Sequence, residues 1–302
     1  PNNAIAYCNL GLTLHNTKDL TNALFAYNKA IDINPLLAIA FNNRAALKND
    51  LLDHTGAIND ANKAIEINPN WTNPYYNLGQ SYLAIAQPYE AIKAFSKCID
   101  YDENFAYAYS QRGLAKSNLQ DYEGAISDCN KSISIDPKNA LAYANLGLVK
   151  NYLEDYEGAI SEYDKAIKID PHNYGFYSNR GVNKICIMKF SEAKEDFNKS
   201  IELNQNYSFS YLKRGVLRYL TKNFNGAIQD LEKARDLGNN EAVEYLNEYY
   251  ESKNSTINSI DVDLRLEIAS DKDKSGDIDS ALENLEKTLK IIFDEDDEEK
   301  DK

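Results

Sequence analysis

The chain has 302 residues and carries 47 acidic against 33 basic side chains, for a formal net charge of -14. This excess of acid argues against binding to nucleic acid or to an anionic membrane surface. No stretch of the sequence is long and apolar enough to span a bilayer. We therefore expect its partners to be proteins or peptides.

A 34-residue period runs through residues 4–241 and divides them into seven units. We number each unit from position 1, which falls at Ala4, Ala38, Thr72, Ala106, Ala140, Tyr174 and Ser208. Position 8 is small in every unit, at Gly11, Ala45, Gly79, Gly113, Gly147, Gly181 and Gly215. Position 20 is always Ala, position 26 is always Lys, and position 4 is always aromatic. A fixed period of this size predicts a stack of small units.

Each unit has the pattern of two amphipathic helices, A and B. In the fifth unit, Leu141, Tyr143 and Leu146 mark helix A at helical spacing, a turn follows near 154–155, and helix B ends at Asp170-Pro171. Gly inside a helix costs about 1 kcal/mol relative to Ala. We therefore expect position 8 of helix A to lie close to position 20 of helix B.

These motifs are similar to the tetratricopeptide repeat, a family of 34-residue helix–turn–helix units. Asn145-Leu146-Gly147 and the segment 155–160 carry the resemblance most closely. It implies an all-α, right-handed superhelical solenoid over residues 4–241, with helix A on the concave face. Residues 1–3 then read as the end of a truncated upstream repeat, so we expect the chain to begin inside an array.

The 34-residue phase is lost after Gly238, and four segments follow in chain order. We predict a capping helix over 242–252, a polar linker over 253–260, a degenerate repeat over 261–293 and a disordered acidic tail over 294–302. Residues 271–279 imitate the start of a calcium-binding EF-hand loop. Because the twelfth ligand position holds Leu282, we favour the repeat interpretation.

Position 6 carries a carboxamide in six of the seven units, and the resemblance places it on the concave face. A carboxamide can both donate to and accept from a peptide bond. We therefore predict a ladder that binds an extended peptide, although hydrogen bonds between helices alone would also explain it. The peptide-binding candidates are Asn9, Asn43, Asn77, Gln111, Asn145, Asn179 and Lys213, with Leu114, Leu148, Val182 and Val216 at position 9.

The charged positions follow the same period. In this family, a clamp for acidic C-termini needs Lys at position 5, which no unit has. The cations at positions 7 and 11 are expected to pair with neighbouring acids. The acids at position 23 are expected on the convex back; they are Asp60, Asp128, Glu162, Asp196 and Asp230.

No enzyme motif is found, and no metal or cofactor is predicted. The four Cys have no paired spacing and are interpreted as packing residues, and the compartment cannot be read from the sequence. The leading hypothesis is a non-enzymatic interaction scaffold. Two alternatives stay open: a regulatory array of a larger enzyme, and self-association through 261–293, with Leu285, Leu289, Ile292 and Phe293.

Overall fold

The computed structural model describes residues 3–254, and every regular element within them is an α-helix. The chain divides after Asn145 into two compact units. Unit 1 contains α1 (Ala4–Asn16), α2 (Leu20–Ile33), α3 (Ala38–Asp50), α4 (His54–Ile67), α5 (Thr72–Ala84), α6 (Pro88–Tyr101), α7 (Ala106–Ser117) and α8 (Tyr122–Ile135). Helix α9 (Ala140–Tyr152) spans the division.

Unit 2 continues with α10 (Tyr156–Ile169), α11 (Tyr174–Cys186), α12 (Phe190–Leu203), α13 (Ser208–Leu220), α14 (Phe224–Asp236) and α15 (Asn240–Asn254). Within each unit, helix A of a repeat packs on its own helix B, and that helix B packs on the next helix A. The position 20 Ala is fully buried in every repeat. The predicted all-α repeat fold is confirmed.

The small residue at position 8 makes room for the side chain at position 24 of helix B, which is an aromatic ring in four of the seven repeats. A Cβ built on Gly79 would lie 2.5 Å from Cε1 of Phe95. Position 20 contributes only its backbone oxygen, as at Gly113, where Ala125 O lies 3.1 Å from the built Cβ. The predicted contact between positions 8 and 20 is therefore incomplete, because the bulk that requires glycine comes from one turn further along helix B.

The turn from helix A to helix B has one backbone conformation in all seven repeats. The residue at position 15 has a positive φ between 55° and 64°, and none of the seven is Gly; they are Lys18, Leu52, Ala86, Gln120, Glu154, Met188 and Lys222. The next residue is the N-cap of helix B. Where it is Asp, as at Asp53 and Asp121, its carboxylate accepts a hydrogen bond from the backbone N–H three residues later.

The acids at position 23 are buried between the helices, so their predicted place on the convex back is wrong. Asp128 is 4% exposed and accepts two hydrogen bonds from Arg112, at 2.7 and 2.8 Å. Lys116 Nζ lies 2.8 Å from the same carboxylate. The predicted pairing of the position 7 and 11 cations with acids is confirmed here. Because the acids are paired with these cations, helix B presents less negative charge than the sequence suggested.

Helix α15 follows the seventh repeat, and its residues Ala242 and Leu246 are buried against the other helices of unit 2. The cap predicted at 242–252 falls on this helix and stays a prediction.

Several predictions concern residues 1–2 and 255–302, which lie outside the described part. They are the truncated upstream repeat, most of the linker 253–260, the degenerate repeat 261–293 with its self-association residues, the EF-hand-like segment 271–279 and the acidic tail 294–302.

Candidate functional site

One face of helix A is partly open to solvent in both units. It consists of positions 2, 6, 9 and 13, which lie four, three and four residues apart and therefore on one side of a helix. We call it the helix A face. In unit 1 its exposed apolar side chains include Ile5, Ile39 and Tyr107 at position 2. No position 2 residue is among the predicted peptide-binding candidates, although large apolar side chains recur there in the sequence.

In unit 1 the carboxamide ladder connects each repeat to the one before it. Asn77 is 8% exposed and its Nδ2 donates to Asn42 O at 3.2 Å and to Asn42 Oδ1 at 2.9 Å. Asn145 is 9% exposed and its Nδ2 donates to Ser110 O at 2.9 Å. In both cases the acceptor is at position 5 of the preceding repeat.

The other ladder residues of unit 1 are more accessible. Asn43 is half-buried and places its Nδ2 3.8 Å from Cys8 Sγ, while Asn9 in the first repeat is exposed. Gln111 is half-buried and hydrogen-bonds Tyr76. Burial raises the pKa of Tyr76 to about 12, against the effect of this hydrogen bond, so its phenol stays neutral at physiological pH.

In unit 2 the ladder residues make contacts of a similar kind. Asn179 is half-buried and hydrogen-bonds the fully buried Tyr163, whose pKa is raised by burial. Lys213 is 6% exposed; its Nζ lies 3.0 Å from Glu241 Oε1 and 5.3 Å from the ring centre of Phe209. The positive charge of Lys213 is therefore neutralised by Glu241 at the start of α15.

The ladder therefore binds neighbouring repeats, and its contact with a partner stays a prediction. The two roles are compatible, because a carboxamide has two N–H donors and an oxygen acceptor, and one bond leaves the others available. The residues with most capacity left are those still half-exposed: Asn43, Gln111 and Asn179.

Position 9 flanks the ladder with apolar side chains. Leu114 in unit 1 and Leu148 in unit 2 are half-buried, whereas Val182 and Val216 are almost fully buried. Position 13 adds the half-buried Tyr152 and Leu220 in unit 2. The helix A face of unit 2 can therefore contact apolar side chains through positions 9 and 13, and the two Val mainly support the packing between repeats.

The described residues offer little reactive chemistry. Among residues 3–254, no group of three or more His, Cys, Asp or Glu could hold a metal ion. Burial raises the pKa of both Cys98 and Cys129 to about 12, so neither thiol ionises readily. No helix in the same range has the length and apolar character that crossing a bilayer requires.

The described residues fold into a repeat protein of helical hairpins. Models of the tetratricopeptide repeat match residues 4–35, 72–105 and 106–139, and a model described as TPR repeat matches 150–182. The matched stretches are tetratricopeptide repeats. No match was found among curated proteins.

Several solved structures have a similar fold. A chain of the APC/C hetero-tetramer Cut9-Hcn1 superposes with a TM-score of 0.72 at 16% identity, over 78% of this chain and 47% of that chain. A tetratricopeptide repeat protein from Parabacteroides merdae has a TM-score of 0.65 at 18% identity, over 81% and 97%. PilF of Pseudomonas aeruginosa has 0.57 at 16%, over 70% and 97%. At these identities the likeness concerns the fold alone.

The chain thus spans about half the length of the Cut9-Hcn1 chain that it matches. Solenoids built from such repeats present extended surfaces that are used for binding. The function and the partner of this chain are matters of proposal.

Proposed function

We propose that this chain is a non-enzymatic scaffold whose helix A face binds an extended segment of a partner protein. The observation that carries the proposal is the row of half-exposed, uncharged carboxamides beside apolar side chains. Gln111 with Leu114 in unit 1 and Asn179 with Leu148 in unit 2 are the main examples.

The repeat spacing supports an extended ligand. Neighbouring helices pack about 8–10 Å apart. An extended chain rises about 3.3 Å per residue. One carboxamide per repeat therefore matches about every third residue of a bound strand. Because a carboxamide can hydrogen-bond backbone N–H and C=O groups, it holds a strand without selecting its side chains.

The charges of the face favour an uncharged segment. Lys213, the one cation of the ladder, is paired with Glu241. At position 13 the acidic residue is Asp50, which hydrogen-bonds His15 Nε2 at 2.9 Å. A charged side chain of the ligand would find no unpaired opposite charge among these residues and would lose its hydration without compensation. An apolar or a neutral polar segment would bind without this desolvation penalty.

Replacement of the two accessible carboxamides tests the proposal. Peptides are selected against the whole chain from a random library, and their affinities are measured for Gln111→Ala, Asn179→Ala and the double variant. Each lost hydrogen bond should weaken binding about three- to tenfold. Asn130→Ala, which removes an exposed carboxamide from helix B, is the matched control. Unchanged affinity in the double variant, with a native circular dichroism spectrum, would refute the ladder as a binding surface.

A further inference from the structure

A second apolar surface lies on the turns between helices A and B in repeats 2 and 3 of unit 1. It consists of Leu51, Leu52, Ile85, Ala86 and Tyr89, which we call the turn patch. Leu52 is 77% exposed, Tyr89 69% and Leu51 42%. The two turns belong to consecutive repeats that pack on each other: α5 of repeat 3 contacts both α3 and α4 of repeat 2. Positions 14, 15 and 18 form this patch, so it shares no residue with the helix A face.

The turn patch is locally unfavourable in ways that packing does not explain. Leu52 has φ +62° and Ala86 has φ +55°, a conformation that costs a residue with a Cβ about 1–2 kcal/mol. The flanking repeats place polar Lys18 and Gln120 at the same position. A large apolar side chain that is both strained and exposed gains nothing within the fold. Because all seven turns share this backbone conformation, the exposed apolar side chains are what distinguish the turn patch.

The start of helix α6 departs from its neighbours in the same place. Asp53 and Asp121 accept capping hydrogen bonds at the equivalent position, whereas Gln87 makes no side-chain cap. Loss of a cap costs about 1 kcal/mol. The whole turn from Ala84 to Tyr89 lacks charge, and Gln87 is its one polar side chain.

The surroundings of the turn patch are acidic. Positions 14–20 of repeats 1–4 contain five carboxylates and one lysine: Asp19, Asp53, Glu90, Asp121 and Glu123, with Lys18. Of the five, Glu90 contacts Lys93, and the three Asp each also accept a capping hydrogen bond from the backbone. A second copy of this chain, at net charge -14, would bring further acid to an acidic rim.

We propose that the turn patch docks a segment of a partner protein in which apolar side chains are flanked by Lys or Arg. The apolar side chains cover Leu51, Leu52 and Tyr89, and the cations pair with the acidic rim. The affinity then falls as salt is added, because the rim charges are exposed and screened. This surface acts independently of the helix A face.

The variant Leu52→Gly separates binding from folding. It removes the exposed apolar side chain and at the same time relieves the left-handed strain, so it should raise stability while it weakens binding. Gln120→Gly relieves the same strain in the next polar turn and removes no apolar surface, which makes it the matched control. Tyr89→Ser removes the second large side chain of the patch.

The test uses the whole chain and peptides selected against it from a random library. Library members that combine Leu, Ile, Val or Phe with Lys or Arg should be enriched. Their affinity should fall about tenfold or more for Leu52→Gly and for Tyr89→Ser, but not for Gln120→Gly or Gln111→Ala. The melting temperature of Leu52→Gly should be unchanged or higher.

Four results would overturn the proposal. The library could yield no such peptides. The selected peptides could bind Leu52→Gly and Tyr89→Ser as tightly as the parent chain. Their affinity could instead depend on Gln111 and Asn179, which would place them on the helix A face. Sedimentation could show a dimer that Leu52→Gly dissociates, in which case the occupant is a second copy.

Discussion

Gly79 of helix α5 lies against the ring of Phe95 on helix α6, so closely that a Cβ on Gly79 would be 2.5 Å from Cε1. The preceding repeat has Ala45 and Ala61 at the same two positions. The other six repeats have Gly at position 8 and Tyr, Phe, Leu or Cys at position 24. Helices A and B thus keep a close approach with glycine opposite a side chain larger than alanine, or with two alanines.

The contact between Gly79 and Phe95 predicts that the effect of Gly79→Ala on the free energy of unfolding changes in a double-mutant cycle. Gly79→Ala alone should lower the free energy of unfolding by about 1–3 kcal/mol, because the new Cβ overpacks the ring. In the Phe95→Ala background the same change should be neutral or stabilising by up to about 1 kcal/mol, since the clash is gone and Ala is the better helix former. Urea denaturation of the four proteins measures both values. Equal losses in the two backgrounds would contradict the contact.

The left-handed residue at position 15 predicts that glycine stabilises the turns. Gln120 has φ +61°, which costs about 1–2 kcal/mol for a residue with a Cβ. Glycine accepts this conformation but loses about 0.5–1 kcal/mol to the entropy of the unfolded chain. Gln120→Gly should therefore raise the free energy of unfolding by about 0.5–1 kcal/mol.

The neighbouring residue supplies the control for this prediction. Asn118 has φ -63°, a right-handed conformation in which glycine has no advantage. Asn118→Gly should lower the free energy of unfolding by about 0.5–1 kcal/mol. Chemical denaturation of both variants decides the question, and a stabilised Asn118→Gly would show that the conformation at position 15 is not the cause.

The buried ion pairs predict that the free energy of unfolding depends strongly on whether every buried charge keeps its partner. Arg112 donates to Asp128 and also to Ser96 of the preceding repeat, at 3.1 Å. The hydrogen bond to Asp128 outweighs burial and raises the pKa of Arg112 above its ordinary value. Asp128→Ala leaves Arg112 and Lys116 without their carboxylate and should lower the free energy of unfolding by about 3–5 kcal/mol. Thermal and urea denaturation measure this loss.

Repeat 3 supplies the matched rescue, because its three equivalent positions carry Leu78, Tyr82 and Ala94. The triple variant Arg112→Leu, Lys116→Tyr and Asp128→Ala copies that set into repeat 4. It should recover most of the loss, since apolar groups of suitable size can replace a buried ion pair. If the triple variant were as unstable as Asp128→Ala, the unpaired cations would not be the cause.

Glu162 predicts a loss of stability in acid. Burial alone would raise its pKa, but hydrogen bonds from Lys150 at 2.7 Å and Lys165 at 2.8 Å outweigh burial and lower it below the ordinary 4.5. A carboxyl whose pKa is lower in the folded state stabilises the fold above the ordinary pKa, and this contribution disappears as the pH falls towards the folded pKa.

Glu162→Gln should therefore destabilise the protein at pH 7 by about 1–3 kcal/mol. The gap between parent and variant should stay constant down to about pH 5 and narrow below the ordinary pKa. Melting temperatures across this range measure it. Glu195→Gln, an exposed carboxylate on α12, should change stability by less than about 0.5 kcal/mol at every pH. If the stability difference between the parent chain and Glu162→Gln widened in acid instead, the pKa of Glu162 would not be lowered by folding.

The period of the sequence was sufficient to predict the helices and their pairing, because every unit repeats one amphipathic pattern and each amphipathic helix must bury its apolar face. The sequence did not show that a glycine such as Gly79 lies against the ring at position 24, here Phe95. Nor did it show that Asp128 and its equivalents turn inward. Both errors came from side-chain direction: residues three or four apart share a helix face, but periodicity alone does not say which neighbouring helix that face meets.

The sequence by itself determined a stack of helical hairpins of the tetratricopeptide repeat family, since a 34-residue period of small and apolar positions leaves few other folds. Only the tertiary structure decided which polar groups are already in use. Asn77 and Asn145 hydrogen-bond the preceding repeat, whereas Gln111 and Asn179 remain half-exposed, and Leu52 projects into solvent from a strained turn. The physical reason is that a hydrogen bond depends on the position of its partner in space, and in this chain the partners lie 16 or 35 residues away along the sequence.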